Sequence, residues 1–563
     1  MIHSLDTALP ADRTETAAIR AAAMNFSANL RTLRNTQPAV AELVTTLPPD
    51  MEWVFGRDGA LTALDAQGKW WAGCSLPKRA AQFMLKKANL DGAVLCFLYP
   101  VHAAQIRVTL DRAKPGQALL LLTPSEKTLA MLLACEQFAA EIDAHRLYFA
   151  AGQGWESQLD ELLEQMPGLS TPTQFIRPIL ADSTLADEMI APAQKIFADH
   201  STRRGQRAAE LTANWKSTGL RRVCVVAPQL FRLWDDAGTA LAEAMASCTQ
   251  NIEISRFNPD DPASASSLAL TSAATACDAI VTPNIGRGDL PDLLPEAMPW
   301  ATWLTTPRIP SAHKAGPRDT LLLADREWKI PAMEKGWDAN RILLAGWPPG
   351  SYNAHAAGAA AGVYEIPPAP HLALIFNTQP LEAPPHVIEY SSHRLLWESI
   401  ERELVDDPFA MDGSADEYLS ARMQRAHVSD EGFDRAAFLD GVILHAWQQG
   451  LARALLGEKF PLKLFGEGWN ALEEFARFAN GPVKSRSELV DIVTSATALV
   501  HAWPMPHMHP IDATGKPVVR ANRRREAFIR DAKLALHGRL EPRRGGPDVL
   551  SAAVVLRALA VQA

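Results

Sequence analysis

Two glycine-containing turns late in the chain carry residue types that suit a phosphorylated ligand. Their members are Gly466, Glu467 and Gly468 in the first turn, and Thr514, Gly515 and Lys516 in the second. A glycine turn can bring backbone N–H groups close to a phosphate, and a lysine can neutralise its charge. The same residues also suit an ordinary tight turn and a solvated lysine, so both interpretations stay open.

A loop rich in proline, methionine and histidine lies between these turns. It contains His507 and His509, and Asp512 follows shortly after. A catalytic zinc site usually needs three protein ligands, and His-x-His supplies two, so we expect no metal. The histidines better suit contacts with a nucleotide or with sugar hydroxyls, and packing of the loop is the alternative.

Acidic and amide side chains follow other apolar runs of the chain. Asp235 and Asp236 come after the run 222–227, and either carboxylate could act as a general base toward a hydroxyl group. Capping of the next helix is the alternative role for this pair. Three further polar residues in comparable positions are Asn284, Arg287 and Asn377. Because ligands of such folds lie at the carboxyl ends of parallel strands, we expect these residues to line a cleft.

The elements that must position these residues alternate between strand and helix in the segment 461–520. Predicted strands lie at 462–465, 481–483, 498–500 and from Val518, with a helix-length segment after Trp469 and a helix from Ser487. This order is typical of a nucleotide-binding half of a doubly wound α/β domain.

Two earlier segments repeat the alternation. Their predicted strands are 92–99, 118–122 and 147–150, then 221–228, 252–255, 277–281, 300–304, 320–324 and 341–344. Strands separated by helix-length patterns imply parallel sheets. The sequence therefore predicts an α/β protein with two tandem doubly wound, Rossmann-like domains at 218–368 and 369–563. An α/β accessory domain at 1–170 and a helical connector at 171–217 precede them.

Composition excludes several classes of protein. The 563 residues are 47% hydrophobic and 21% charged, so the chain can bury full cores. A net charge of -9 argues against a general nucleic-acid binder, and no long uncharged apolar run predicts a membrane-spanning helix. The six cysteines form no CxxC pair, which favours free thiols in a reducing compartment. The N-terminus lacks the apolar core of a secretory signal, so we expect a cytoplasmic protein.

The motifs at 464–469, 481–489 and 513–519, taken in order, resemble the GT-B glycosyltransferases. Residues 284–303 and 346–349 also resemble the spore-protein (CgeB-like) branch of that family. The resemblance implies two Rossmann-like domains that face each other across a cleft. It also implies transfer of a sugar from a nucleotide-sugar donor to a protein or glycan acceptor. Positive side chains rather than a metal or another cofactor would then stabilise the leaving diphosphate.

One position departs from the pattern of that family. Retaining members usually carry a Glu five residues before the glycine of the second turn, where it binds the nucleotide ribose. Here that residue is Pro510. Asp512, His507 or His509 could supply the contact instead. The departure keeps two other hypotheses open, an inactive GT-B-like binding or assembly protein and a nucleotide-sugar epimerase. The segment 1–170 would serve acceptor binding or assembly, which includes self-association into a homo-oligomer.

Overall fold

The computed structural model shows a mixed α/β protein with three parallel sheets. It describes residues 11–562 except 87, 91, 115, 173, 178–182, 218, 229–232, 235–236, 291–292, 307, 347–368, 385–386, 388–389, 412–413, 430–431, 436, 504–510, 512–513, 522–523 and 542–550. Within this described part, no helix has the length and apolar character needed to cross a membrane. All six cysteines are unpaired, and four of them are buried.

The first parallel sheet, called the N-terminal sheet, has the strand order β5-β4-β3-β6, and a separate β1-β2 hairpin is antiparallel. The elements are α1 (Ala11–Thr36), α2 (Pro38–Leu43), β1 (Glu52–Phe55), β2 (Leu61–Leu64), α3 (Pro77–Leu85), β3 (Val94–Leu98), α4 (Ala103–Arg112), β4 (Ala118–Thr123), α5 (Glu126–Cys135), α6 (Ala139–Asp143), β5 (Leu147–Ala151), α7 (Trp155–Gln165) and β6 (Phe175–Ile176). Every residue of β3, β4 and β5 is buried, as in a parallel sheet covered on both faces.

The second sheet, called the middle sheet, is entirely parallel and has the order β12-β11-β10-β9-β7-β8. The elements are α8 (Ser183–Asn214), β7 (Arg222–Val226), α9 (Ala237–Cys248), β8 (Glu253–Phe257), α10 (Ser267–Thr275), β9 (Ala279–Pro283), β10 (Trp300–Leu304), β11 (Asp319–Leu323), α11 (Lys329–Glu334) and β12 (Ile342–Leu344). Because β8 and β9 lie on opposite sides of β7, the strand order reverses between β7 and β9.

The third sheet, called the C-terminal sheet, is also parallel and has the order β14-β13-β15-β16. The elements are β13 (Leu372–Ile375), α12 (Ser391–Asp406), α13 (Ala415–Ala426), α14 (Leu444–Gly457), β14 (Leu462–Phe465), α15 (Arg486–Ser495), β15 (Ala498–His501), β16 (Val518–Arg520), α16 (Arg525–Leu536) and α17 (Ser551–Gln562). A π-helical turn, Ala437–Ile443, leads into α14.

The last helix packs away from the C-terminal sheet. Val555, Ala558 and Leu559 of α17 join the core of the middle sheet, where α17 contacts α9, β10 and β12. The sequence predicted one domain at 369–563. Its last helix, α17, nevertheless packs with the elements of the middle sheet, which are called the middle unit.

The strand predictions are confirmed with shifts of one or two residues, except at 481–483, which is not a strand. The helix-length segment after Trp469 forms only two 3₁₀ turns. Trp469 and Phe475 are both buried and their rings meet edge to face at 5.3 Å. Residues six positions apart lie on different faces of an α-helix, so a continuous helix could not bury both rings here.

Helix α8 and one tight turn join the N-terminal unit to the middle unit. Helix α8 packs against α7 on one side and α10 on the other. A Cβ added at Gly168 would lie 1.8 Å from the carbonyl oxygen of Ala263. The backbone N–H of Ser266 donates to the Gly168 carbonyl at 2.7 Å, and its hydroxyl donates to the Pro167 carbonyl at 2.8 Å. The two units therefore meet backbone to backbone.

This contact predicts that Gly168→Ala lowers the free energy of unfolding by about 1–3 kcal/mol, because the two backbones must separate. Gly154→Ala is the matched control, since a Cβ at Gly154 meets nothing within 4 Å. Urea denaturation at one temperature compares both variants with the wild type. Equal stability of the two variants would contradict the assigned contact.

Candidate functional site

Ligands of doubly wound α/β folds bind beyond the carboxyl ends of the strands, where the strand order reverses. The reversal points lie between β3 and β6 in the N-terminal sheet, β7 and β9 in the middle sheet, and β13 and β15 in the C-terminal sheet. These three places are the candidate sites that the topology offers.

The chain itself covers the first of these points. His102 follows β3 and caps α4 by accepting a hydrogen bond from the Ala104 N–H on Nδ1 at 3.0 Å. It is only 4% exposed and lies beneath the β1-β2 hairpin, whose Leu61 backbone and Asp58 carboxylate act on the imidazole. Burial lowers the pKa of His102 to about 4, so the ring is neutral at physiological pH. Because the hairpin covers this edge of the N-terminal sheet and His102 is a neutral helix cap, this reversal point suits a structural role.

The buried imidazole predicts a pH-dependent stability. The ordinary pKa of His102 is 6.5, so the unfolded chain binds a proton at this residue more tightly than the folded chain does. The free energy of unfolding therefore decreases as the pH falls toward the folded pKa of about 4. His102→Asn keeps a capping oxygen and removes the titration. Relative to this variant, the wild type should lose about 3 kcal/mol of unfolding free energy between about pH 7 and pH 4. Denaturant unfolding across that range measures the difference, and parallel pH curves would contradict the prediction.

The carboxyl edges of the middle and C-terminal sheets meet at Trp234. This residue follows β7, is 7% exposed, and donates from its indole Nε1 to the carbonyl of Ile375 at 2.6 Å. Its ring also lies 6.4 Å from the ring of Phe376, which directly follows β13. An ion pair of 3.0 Å between Glu243 on α9 and Arg486 at the start of α15 spans the same junction. These contacts join the loop after β7 and helix α9 to the end of β13 and the start of α15.

Polar side chains gather at the reversal point of the C-terminal sheet. Gln449 Nε2 donates to the hydroxyl of Thr378 at 3.2 Å and to the carbonyl of Gln379 at 2.9 Å, just beyond β13. Gln448 Nε2 donates to the carbonyl of Ala502 at 3.2 Å, just beyond β15. Both glutamines are buried on α14. They tie the start of this helix to the two strands between which the order reverses.

His445 lies at the start of α14, one helical turn before Gln448 and Gln449. Its Nδ1 lies 3.2 Å from Gln448 Oε1. In the tautomer that donates this bond, Nε2 is left as an acceptor. Burial lowers the pKa of His445, against the opposing effects of Gln448 and Asp440, and burial raises the pKa of Asp440. A neutral imidazole held in one orientation can accept a proton from a hydroxyl group.

The predicted turn at 466–468 lies at the same edge, but its glycines are required by protein contacts. A Cβ at Gly466 would lie 2.3 Å from the Phe376 carbonyl oxygen, and one at Gly468 would lie 1.8 Å from that of Thr378. Their φ angles are +124° and +87°. The N–H of Gly466 donates to the Gly481 carbonyl at 2.9 Å. This turn therefore packs on the loop after β13.

Asn377 and Glu467 sit side by side on this edge. The side-chain oxygen of Asn377 accepts from the Glu467 N–H at 2.9 Å, and Thr378 N donates to the Glu467 carbonyl at 2.9 Å. Both Asn377 and Glu467 are exposed, so a ligand at the edge can reach them.

The second turn lies at the opposite edge of the C-terminal sheet, before β16. Lys516 Nζ donates to the carbonyls of Thr494 at 2.7 Å and Ala496 at 2.9 Å, at the end of α15. Burial lowers the pKa of Lys516. Thr514 donates to the Ile511 carbonyl, and Gly515 has φ +72°. A strand length of about 13 Å separates this turn from the first one.

The two cleft candidates of the middle sheet have different environments. Asn284 follows β9 with φ +56°, and its amide bonds Thr305 and Thr306 after β10. Arg287 reaches back to the amino end of β11, where it pairs with Asp319 at 2.8 Å and donates to two backbone carbonyls. The structure thus brings Asn284, but not the guanidinium of Arg287, to the carboxyl edge.

Several predicted site residues lie outside the described residues. They are Asp235, Asp236, His507, His509 and Asp512. Pro510, the position of the expected ribose ligand, lies there too. In the described part of the chain, no three His, Cys, Asp or Glu side chains cluster as metal ligands would.

Sequence reasoning missed Thr378, His445, Gln448 and Gln449. The available signal was a pair of glutamines among the apolar residues of α14, a helix whose Ala446, Trp447 and Leu451 are buried. Buried amides need hydrogen-bond partners, which marks such positions as contacts to a loop or a ligand.

The sequence matches no protein-family model and no curated protein. A MAf glycosyltransferase from Magnetospirillum magneticum AMB-1 is a structural neighbour with a TM-score of 0.25 and 10% sequence identity. The alignment covers 93% of this chain and 79% of that chain. A likeness this weak carries no argument about activity.

The packing of the first turn predicts different costs for two alanine substitutions. Gly468 and Gly481 both have positive φ, but a Cβ at Gly481 meets nothing within 4 Å. Gly481→Ala should cost about 1–2 kcal/mol of unfolding free energy for the left-handed backbone. Gly468→Ala should cost about 1–3 kcal/mol more, since the loop after β13 must move. Urea denaturation gives both values. Equal losses would show that the close contact with the Thr378 carbonyl does not explain why position 468 is a glycine.

Proposed function

We propose that the protein transfers a glycosyl group from a nucleotide-sugar donor to a protein or glycan acceptor, as a cytoplasmic enzyme of GT-B type. The observation that carries the proposal is the contact of Trp234 with Ile375, which joins the carboxyl edges of two doubly wound sheets. Two facing edges can hold two substrates so that their reacting atoms meet. Membership of the CgeB-like branch rests on the sequence motifs alone.

The donor belongs at the C-terminal sheet in this proposal. A ribose and a sugar would lie beyond the ends of β13 and β15, which the buried Gln448 and Gln449 hold in place through their hydrogen bonds. Arg520 ends β16 at the same edge and Arg524 follows it, so these two cations are candidates for the diphosphate. No metal is needed in this arrangement, and Asn377 and Glu467 are further candidate contacts.

A base for the acceptor hydroxyl has two candidate sources. Burial lowers the pKa of His445, which favours its neutral form, and Gln448 orients its ring. Asp235 and Asp236 directly follow Trp234 in the sequence, and Trp234 contacts Ile375. His507, His509 and Asp512 follow β15 and remain candidates for the nucleotide. The first sheet, whose edge is covered, would serve acceptor binding or self-association.

Isothermal titration with UDP, GDP, CMP and ADP sugars tests donor binding. We expect one of these to bind, and His445→Ala to lower the turnover with acceptor by about 10²-fold or more if it is the base. His537→Ala is the control, because His537 is exposed at the end of α16. Binding of none of the donors would overturn the proposal.

The competing hypotheses give different products. Donor binding without transfer or hydrolysis would favour a binding or assembly protein. A changed sugar in the absence of any acceptor would favour an epimerase, and release of the nucleotide with a glycosylated acceptor would favour transfer.

A further inference from the structure

A cavity of about 300 Å³ opens at the carboxyl edge of the middle sheet. It lies where β7, β8 and β9 end and α10 begins, beside the point at which the strand order reverses. Its apolar lining comes from Val226, Phe257, Leu270, Ile285, Leu290 and Leu293. Its size is at the lower end of the range for small-molecule sites.

The hydroxyls of Thr282 and Ser266 in the wall are occupied by the protein itself. Thr282 donates to the Ile285 carbonyl and accepts from Trp300 Nε1 at 2.7 Å. Ser266 donates to the Pro167 carbonyl and accepts from the Ala269 N–H at 3.1 Å. Among the residues that the structure describes, none that lines the cavity carries a charge. A charged group would therefore be desolvated there without compensation, whereas an apolar group would lose contact with water at no such cost.

The wall is held in place from a second unit of the chain. The residues that begin α10 bond to the turn at Pro167 and Gly168, where the two backbones touch. A wall fixed in this way keeps the cavity open before a ligand arrives, which reduces the entropy lost on binding.

We infer that this cavity binds an uncharged apolar group of a small ligand, such as a short aliphatic chain or a single aromatic ring. Exposed Ser267 stands at its mouth, so the rest of the ligand can extend into water. The inference does not depend on glycosyl transfer, because binding is measured with no nucleotide sugar present.

Titration of the full chain with 1-octanol, followed by calorimetry and ligand-observed NMR, tests the inference. We expect saturable binding at one site. Ser267→Trp places an indole at the mouth and should weaken binding by about tenfold or more. Ser272→Trp is the matched control, since Ser272 is exposed on the same helix and does not line the cavity. It should bind like the wild type.

A second variant protects the test against misfolding. Leu290→Phe enlarges a side chain that lines the cavity, so it should also weaken binding. This variant tests the inference even if Ser267→Trp does not fold. Absence of saturable binding to the wild type would overturn the inference. Equal binding by the wild type and both cavity variants would do the same.

Discussion

The hydrogen bond from the Trp234 indole to the Ile375 carbonyl joins the carboxyl edges of the middle and C-terminal sheets. Ile375 ends β13, so its carbonyl is buried at the sheet edge and needs a donor. Trp234 supplies it from the loop after β7, where its backbone has a φ of +64°. Such a backbone is costly for a bulky residue and persists only where the surroundings enforce it. The strain therefore marks a constrained junction between the two edges.

The sheets could be predicted because their strands are buried on both faces. Runs such as Val94–Leu98 and the residues 118–122 are apolar throughout, which is the signature of parallel strands covered by helices. The β1-β2 hairpin and β6 were missed, since they are short and half-buried. The segment after Trp469 was predicted as a helix by its length, and the need to bury Trp469 together with Phe475 imposed two 3₁₀ turns instead.

The candidate site was harder to predict because it depends on strand order rather than on sequence spacing. Thr378, Gln448 and Ala502 are far apart in the chain, and the fold brings them together at the reversal point between β13 and β15. Lys516 shows the converse. It lies close in sequence to the loop after β15, but it precedes β16 and therefore sits at the opposite edge, on the end of α15. Residues that follow a strand lie at the carboxyl edge of the sheet, and residues that precede a strand lie at the amino edge. This distinction alone separates Thr378 from Lys516.

The glycines of the first turn show why a motif alone does not identify a ligand site. A glycine that approaches a phosphate and a glycine that approaches another backbone have the same sequence signature, because both positions exclude a Cβ. In Gly466 and Gly468 the excluding atoms are the carbonyls of Phe376 and Thr378. The turn thus fixes the loop after β13, and the loop in turn presents Asn377 and Thr378 at the edge. Its part in binding would be to position these side chains, with the ligand contacts made by its neighbours.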